Sequence, residues 1–155
     1  MPTEIERKFL LLPGRWQPPG RGTRLRQGYL CTEGVTVRVR RDDTRGWLTV
    51  KGPRTGISRG EFEYEIPLAE ADQMLDTLCL RPLIEKVRHT FDHAGHTWEV
   101  DVFEGENAGL VVAEIELESE DEPFVRPDWL GEEVSEDRRY TNSSLCRYPF
   151  REWAR

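Results

Sequence analysis

Apolar and polar residues swap at almost every position over most of this chain, the period of a strand with two unlike faces. The pattern predicts strands over residues 4–10 (EIERKFL), 24–30 (RLRQGYL), 35–40 (VTVRVR), 47–51 (WLTVK), 61–66 (EFEYEI), 86–91 (KVRHTF), 97–102 (TWEVDV) and 111–118 (VVAEIELE). Residues 42–46 make a turn, Gly52 and Pro53 end the fourth strand, and Ala94 and Gly95 join the sixth to the seventh. One helix is predicted over 68–80, after Pro67, with Ala71, Met74, Leu75 and Leu78 at helical spacing. A second is predicted over 135–147, where Ser135 precedes acids in the first turn and Pro149 follows the end. Residues 13–22 form a Pro/Gly-rich loop and 118–127 a charged one. No repeat or linker divides the chain, so a single domain over 1–155 is expected. Eight strands with two helices predict a mainly β (α+β) fold, an antiparallel sheet closed into a barrel with a few flanking helices.

The polar positions of these strands are almost wholly ionic and sorted by sign. Glu4 and Glu6, then Glu61, Glu63 and Glu65, then Glu114, Glu116 and Glu118 form acidic rows, with Glu99 and Asp101 between them. Arg38 and Arg40, Lys51, and Lys86 and Arg88 form basic rows, and Lys8 ends the first acidic one. Residues i and i+2 share a strand face, so each row is a line of like charge that repels itself. Two arrangements accommodate such rows. They can be the solvated outside of a sandwich. Alternatively the barrel is inverted: the ionic faces line the lumen, and Val37, Val39, Phe62, Tyr64, Val100, Val102, Ile115 and Leu117 face outward, partly beneath the helices. In the inverted arrangement the acidic rows hold divalent cations and the basic rows hold a polyanion. Hard carboxylate oxygens suit Mg²⁺ or Mn²⁺, and the rows contain no His or Cys.

Composition narrows the partners. Acids outnumber bases 29 to 22, a net charge of −7, whereas general nucleic-acid binding needs a basic excess over a whole face. No apolar run approaches the roughly 20 residues of a membrane span, and the first residues lack the basic and apolar regions of a secretory signal. Cys31, Cys79 and Cys146 are odd in number and widely spaced, which reads as free thiols rather than a disulfide framework or zinc site. The expectation is a cytoplasmic protein with neither a membrane nor a nucleic-acid partner.

Glu4-x-Glu6-x-Lys8 resembles the ExExK signature of the CYTH superfamily, the triphosphate tunnel metalloenzymes. Arg38-x-Arg40, Lys51, Glu61-x-Glu63, the run Glu85-Lys86-x-Arg88, Asp101 and Glu114-x-Glu116 follow in that family's order, and residues 136–142 (EDRRYTN) resemble its C-terminal pattern. The resemblance covers nearly the whole chain and is strongest to the short bacterial inorganic triphosphatases. It implies an eight-stranded antiparallel barrel forming a tunnel with charged side chains inside, in agreement with the inverted arrangement. It also implies metal-dependent chemistry on a triphosphate.

On that resemblance, Lys8, Arg38, Arg40, Lys51, Lys86 and Arg88 contact the phosphates, Arg being matched to phosphate by its planar fork. Glu4, Glu6, Glu114 and Glu116 lead as ligands of Mg²⁺ or Mn²⁺, with Glu63 and Asp101 next. Tyr29 resembles a Tyr of the short tunnel phosphatases and is a catalytic candidate, with Lys86 placed to favour its phenolate. Inorganic tripolyphosphate, cleaved to diphosphate and phosphate, is the expected small-molecule substrate, because no insertion is evident to recognise a base or thiazolium. Thiamine or nucleoside triphosphatase and class IV-type adenylyl cyclase are the enzymatic alternatives. A non-catalytic polyphosphate-binding module needs only the cations, and a lipocalin-like carrier needs the apolar parity inside. The protein is expected to be a monomer or homodimer. Arg41, Arg45 and Arg59 read as surface or ion-paired, the tryptophans as packing residues, and His93 and His96 as part of an exposed hairpin. Asp137, Arg139, Tyr140 and Asn142 are expected to fix the last helix against the barrel mouth.

Overall fold

The computed structural model describes residues 3–153. All eight expected strands form: β1 (Thr3–Leu11), β2 (Thr23–Cys31), β3 (Thr36–Arg41), β4 (Gly46–Lys51), β5 (Ser58–Ile66), β6 (Ile84–His93), β7 (His96–Phe103) and β8 (Val111–Glu116). They pair antiparallel in the ring β1-β5-β4-β3-β2-β6-β7-β8, and β8 returns to β1 along Glu6–Leu10 to close the barrel. Closure at β5 uses only Thr3, Glu4 and Ile5. Past that point the same edge of β1 takes a ninth strand, β9 (Leu130–Glu133), paired at Phe9 and Leu11. Its sequence, LGEE, does not alternate and was not expected to be a strand; it becomes one because β1 presents unpaired backbone there.

Register settles which way the faces point. Glu6 lies opposite Glu116 and Lys8 opposite Glu114; Arg88 is opposite Asp101, Lys51 opposite Glu61, and Thr49 joins Arg38 to Glu63. Cross-strand partners share a face, so all these charges lie on the inner wall. The apolar parity faces outward and divides into two packed regions. On the β1–β7–β8 side Phe9, Trp98, Val100, Ala113 and Ile115 are fully buried beneath the loops that carry Trp16, Phe124 and Trp129. Trp98 makes edge contacts to Trp129 and Phe124 at 5.4 and 5.7 Å. Each of the larger of these side chains contributes about 1.5–3 kcal/mol by leaving water. On the β3–β4 side α1 (Leu68–Thr77) lays Ala71 and Leu75 on Val39, Leu48 and Ile66. A Cβ on Gly46 would stand 2.7 Å from the Cβ of Ala71, so glycine is what lets the helix sit this close. Phe62 and Tyr64 face outward uncovered.

The second expected helix is broken. Residues 138–140 make a single 3₁₀ turn, and α2 (Asn142–Leu145) is one turn long. Asp137 accepts from the backbone N–H of Arg139, and Thr141 accepts from that of Ser144. Two caps four residues apart restart the chain instead of continuing it, and the second of them, Thr141, is itself extended. This segment forms a plug. Leu145, Cys146 and Trp153 meet Tyr29, Ile84, Phe103 and Val112 from the inner wall and fill one end of the barrel with apolar packing.

Candidate active site

The remainder of the lumen is a polar cavity of about 210 Å³. β1 supplies Glu4, Glu6 and Lys8; β3 supplies Thr36, Arg38 and Arg40; β4 and β5 supply Lys51, Arg59, Glu61 and Glu63. Arg88, Glu99, Glu114 and Glu116 close the ring, Tyr29 lies on the β2 wall, and Thr141, Asn142 and Ser143 of the plug complete it. Of the expected site residues, only Lys86 and Asp101 stand outside this lining.

Those two lie beneath it. Lys86 is wholly buried, with Nζ 2.8 Å from an Asp101 oxygen and 2.9 Å from Oδ1 of Asn142, which accepts from it. Arg88 clamps both Asp101 oxygens at 2.8 and 2.9 Å. Burial opposes ionisation of Asp101, yet Arg88 and Lys86 together hold its carboxyl far below the usual range. For Lys86 burial prevails: against Asp101, and aided by Arg88 and Arg40, it brings the ammonium down to about 7. The interactions of Lys86 run to Asp101, Asn142 and the Phe103 ring rather than to Tyr29.

The basic side of the cavity is only partly neutralised. Arg40 has no acidic partner among the described residues; its Nε donates to Oε1 of the fully buried Gln27 at 2.7 Å. Burial, with Arg38 and Arg88 nearby, lowers the Arg40 guanidinium to about 9. Arg38 donates to Thr49 and Glu63 at 3.1 and 3.3 Å, while its buried Nε has no acceptor. Arg59, expected at the surface or ion-paired, lies on the cavity wall with only a hydroxyl and a carbonyl as partners among the described residues, Thr36 and Gly52. Its place follows from β5 beginning at Ser58, three residues earlier than its alternation reveals. A multiply charged anion would satisfy all three guanidiniums.

The acidic side shows the converse. Lys51 binds both oxygens of Glu4 at 3.0 and 3.1 Å, and Lys8 lies 3.5 Å from Glu114. Burial opposes Glu114, but Lys8, with Arg88 and Lys86, keeps it at about 2. Glu6 and Glu116 make no ion pair among the described residues. Burial, then Glu114 and Glu4, pushes the Glu6 carboxyl up to about 8, and burial with Glu4 and Glu99 raises Glu116.

An antiparallel barrel with sorted charges inside is one observation; a sequence match spanning it is another. The CYTH domain profile matches residues 2–145. The chain belongs to the CYTH family. It is 50% identical over 152 residues to an inorganic triphosphatase of Acetivibrio thermocellus, covering 97% of both chains. It is 38% identical to an inorganic triphosphatase of Nitrosomonas europaea, over 93% of this chain and 97% of that one. A crystal structure of an inorganic triphosphatase superposes with a TM-score of 0.66 at 36% identity, over 92% of this chain and 97% of its own.

CYTH enzymes imply a divalent cation, and the donor set fits one. Glu6 and Glu116 are all-oxygen donors opposite each other, left without a cation by the protein. Among the described residues no three acidic, His or Cys groups form a ready-made coordination sphere. An ion taken up there would rest on one or two carboxylates and complete its shell with phosphate oxygens and water.

Sequence reasoning missed Gln27 and Thr49, and took Asn142 only as a fixing residue. Gln27 accepts from Arg40 and donates weakly to Asn142 and the Tyr29 hydroxyl, both at 3.4 Å. The available signal was parity: Gln27 lies two before Tyr29, and Thr49 two before Lys51.

Proposed function

We propose that this CYTH chain hydrolyses inorganic triphosphate to diphosphate and phosphate inside the barrel. The observation that carries the reading is the pair of unmet demands in one cavity: among the described residues, Arg40 and the Nε of Arg38 lack an anion, and Glu6 and Glu116 lack a cation. A metal-bound triphosphate meets both. Phosphoryl transfer needs mainly positioning and charge neutralisation. Arg38, Arg40, Arg88, Lys8 and Lys51 grip the phosphate oxygens. Lys86, under the floor, adds positive potential, and Asp101 orients Lys86 and Arg88 instead of binding metal. Glu6 and Glu116 would hold the cation, Mg²⁺ or Mn²⁺, flanked by Glu4 and Glu114, which Lys51 and Lys8 already engage, with Glu63 behind Arg38. When bound, that ion neutralises phosphate charge and lowers the pKa of water. Water attacks the terminal phosphorus, and the bridging oxygen departs with diphosphate. Tyr29, whose hydroxyl accepts from Gln27, is our candidate for orienting that water and taking its proton.

Among the described residues lining the cavity Tyr29 is the one aromatic, a lining suited to inorganic triphosphate more than to the bases of ATP and thiamine triphosphate. Phosphate release from these three substrates, with Mg²⁺ or Mn²⁺ and with chelator, tests the reading. Metal-dependent release fastest from inorganic triphosphate supports it; inertness toward all three removes it.

A further inference from the structure

A second cavity, of about 340 Å³, adjoins the first. It lies between the β2–β3 turn, the β4–β5 connection and the plug. The two cavities share a wall made of Arg54, Arg59, Thr36, Thr141 and Ser143. Four arginines line it, Arg54, Arg59, Arg138 and Arg147, and no carboxylate does. Their charges are nearly unpaired. Among the described residues Arg54 reaches only the Ser135 carbonyl at 3.5 Å and Arg59 only neutral oxygens. The side chain of Arg138 has no partner among the described residues, and Arg147 has only the exposed Glu33 at 3.5 Å and Thr32. Burial lowers Arg59, and the proximity of Arg54 lowers it further.

Such a concentration of like charge costs stability unless an anion uses it. On a chain of net charge −7 it also marks the face on which an anionic substrate meets attraction. At the other end of the lumen, Arg40 and Arg88 share the opening with Asp42, Glu63 and Trp47.

We propose that the Arg54–Arg59–Arg138–Arg147 vestibule is a collecting site for condensed-phosphate anions and the mouth through which substrate reaches the tunnel. This rests on the triphosphatase reading above. The anion first meets the exposed guanidiniums of Arg138 and Arg147, then passes Arg54 and Arg59 on the shared wall to Arg38 and Arg40. A clamp of this kind acts on capture, so its signature is kcat/KM and ionic strength rather than kcat.

The test is the pair R138Q/R147Q, made at exposed positions, assayed with inorganic triphosphate over a range of NaCl. Expected is a fall in kcat/KM of about tenfold at low salt, within the range of electrostatic steering, a flatter salt dependence and an unchanged kcat. R138K/R147K should restore most of the loss. An unchanged kcat/KM with an unchanged salt slope overturns the proposal, as does an equal loss in the Gln and Lys pairs. Calorimetric titration of metal-free protein with inorganic triphosphate separates the two readings. If the wild type hydrolyses nothing, weaker binding by R138Q/R147Q still supports the vestibule. Identical binding by the wild type and that pair overturns it.

Discussion

Glu6 and Glu116 face each other across the β1–β8 ladder, and neither makes an ion pair among the described residues. Like charges opposite each other in a sheet are destabilising. Once Glu6 is ionised, above about pH 8, this pair is therefore retained against folding stability, and it is there that the stability effect is read. Replacing either by Gln therefore has effects of opposite sign. E6Q or E116Q should raise the stability of the metal-free protein by about 0.2–1 kcal/mol, the size of a cross-strand pair term. The same changes should reduce metal-activated turnover by about a hundredfold or more, since a catalytic ion supplies several kcal/mol. Chemical denaturation with chelator present and phosphate-release assays with metal read the two effects.

Stability of the metal-free protein should peak in mildly acidic solution. The folded-state pKa of Glu6 is raised from 4.5 to about 8, so its contribution is present below about pH 4.5 and is lost as pH rises toward 8. Glu4 and Glu116 are raised in the same sense. Asp101 and Glu114 are lowered, so their contribution is lost as pH falls below the usual carboxylate range. Lys86, lowered to about 7, restores stability only above that pH. Melting temperature should thus decline between about pH 4.5 and 7, and E6Q should flatten that decline. A decline of equal slope in E6Q would remove Glu6 as its source.

Asn142 ties the plug to the tunnel floor by accepting from Lys86 at 2.9 Å. In N142L the buried Lys86 ammonium and the Gln27 amide lose this acceptor. The expected cost is about 1–3 kcal/mol, that of an unsatisfied buried polar group, together with a lower kcat. Urea unfolding and steady-state kinetics would show both.

Leu145 is fully buried in the plug. L145A should destabilise the protein by about 2–5 kcal/mol through the cavity it leaves, measured by denaturant midpoint. A smaller loss would mean that residues 141–153 contribute little to closing the barrel.

Much of this architecture is legible in the sequence because every second residue of the strands is charged, and an ionic parity marks a face unambiguously. Parity does not give depth along the barrel. Lys86 and Asp101 belong to the same inward rows as Arg88 and Glu99, but they lie beneath the cavity, bound to each other, and only the strand register reveals it. Neither the break at Thr141 nor β9 was readable. The first depends on two caps competing with one helix, the second on a vacant stretch of the β1 edge far away in sequence. Gln27, a single amide in a charged row, became interpretable only once Arg40, Tyr29 and Asn142 were seen around it.

The central claim is that triphosphate and its divalent ion sit inside the barrel, between the guanidiniums of Arg38 and Arg40 and the carboxylates of Glu6 and Glu116. Diffraction from crystals grown with Mn²⁺ and a non-hydrolysable triphosphate analogue tests it directly through the anomalous signal of manganese. The account predicts a manganese peak against Glu6 and Glu116, with phosphates on Arg38 and Arg40. Manganese and phosphate found only on the outer surface, with the lumen holding neither, would contradict it.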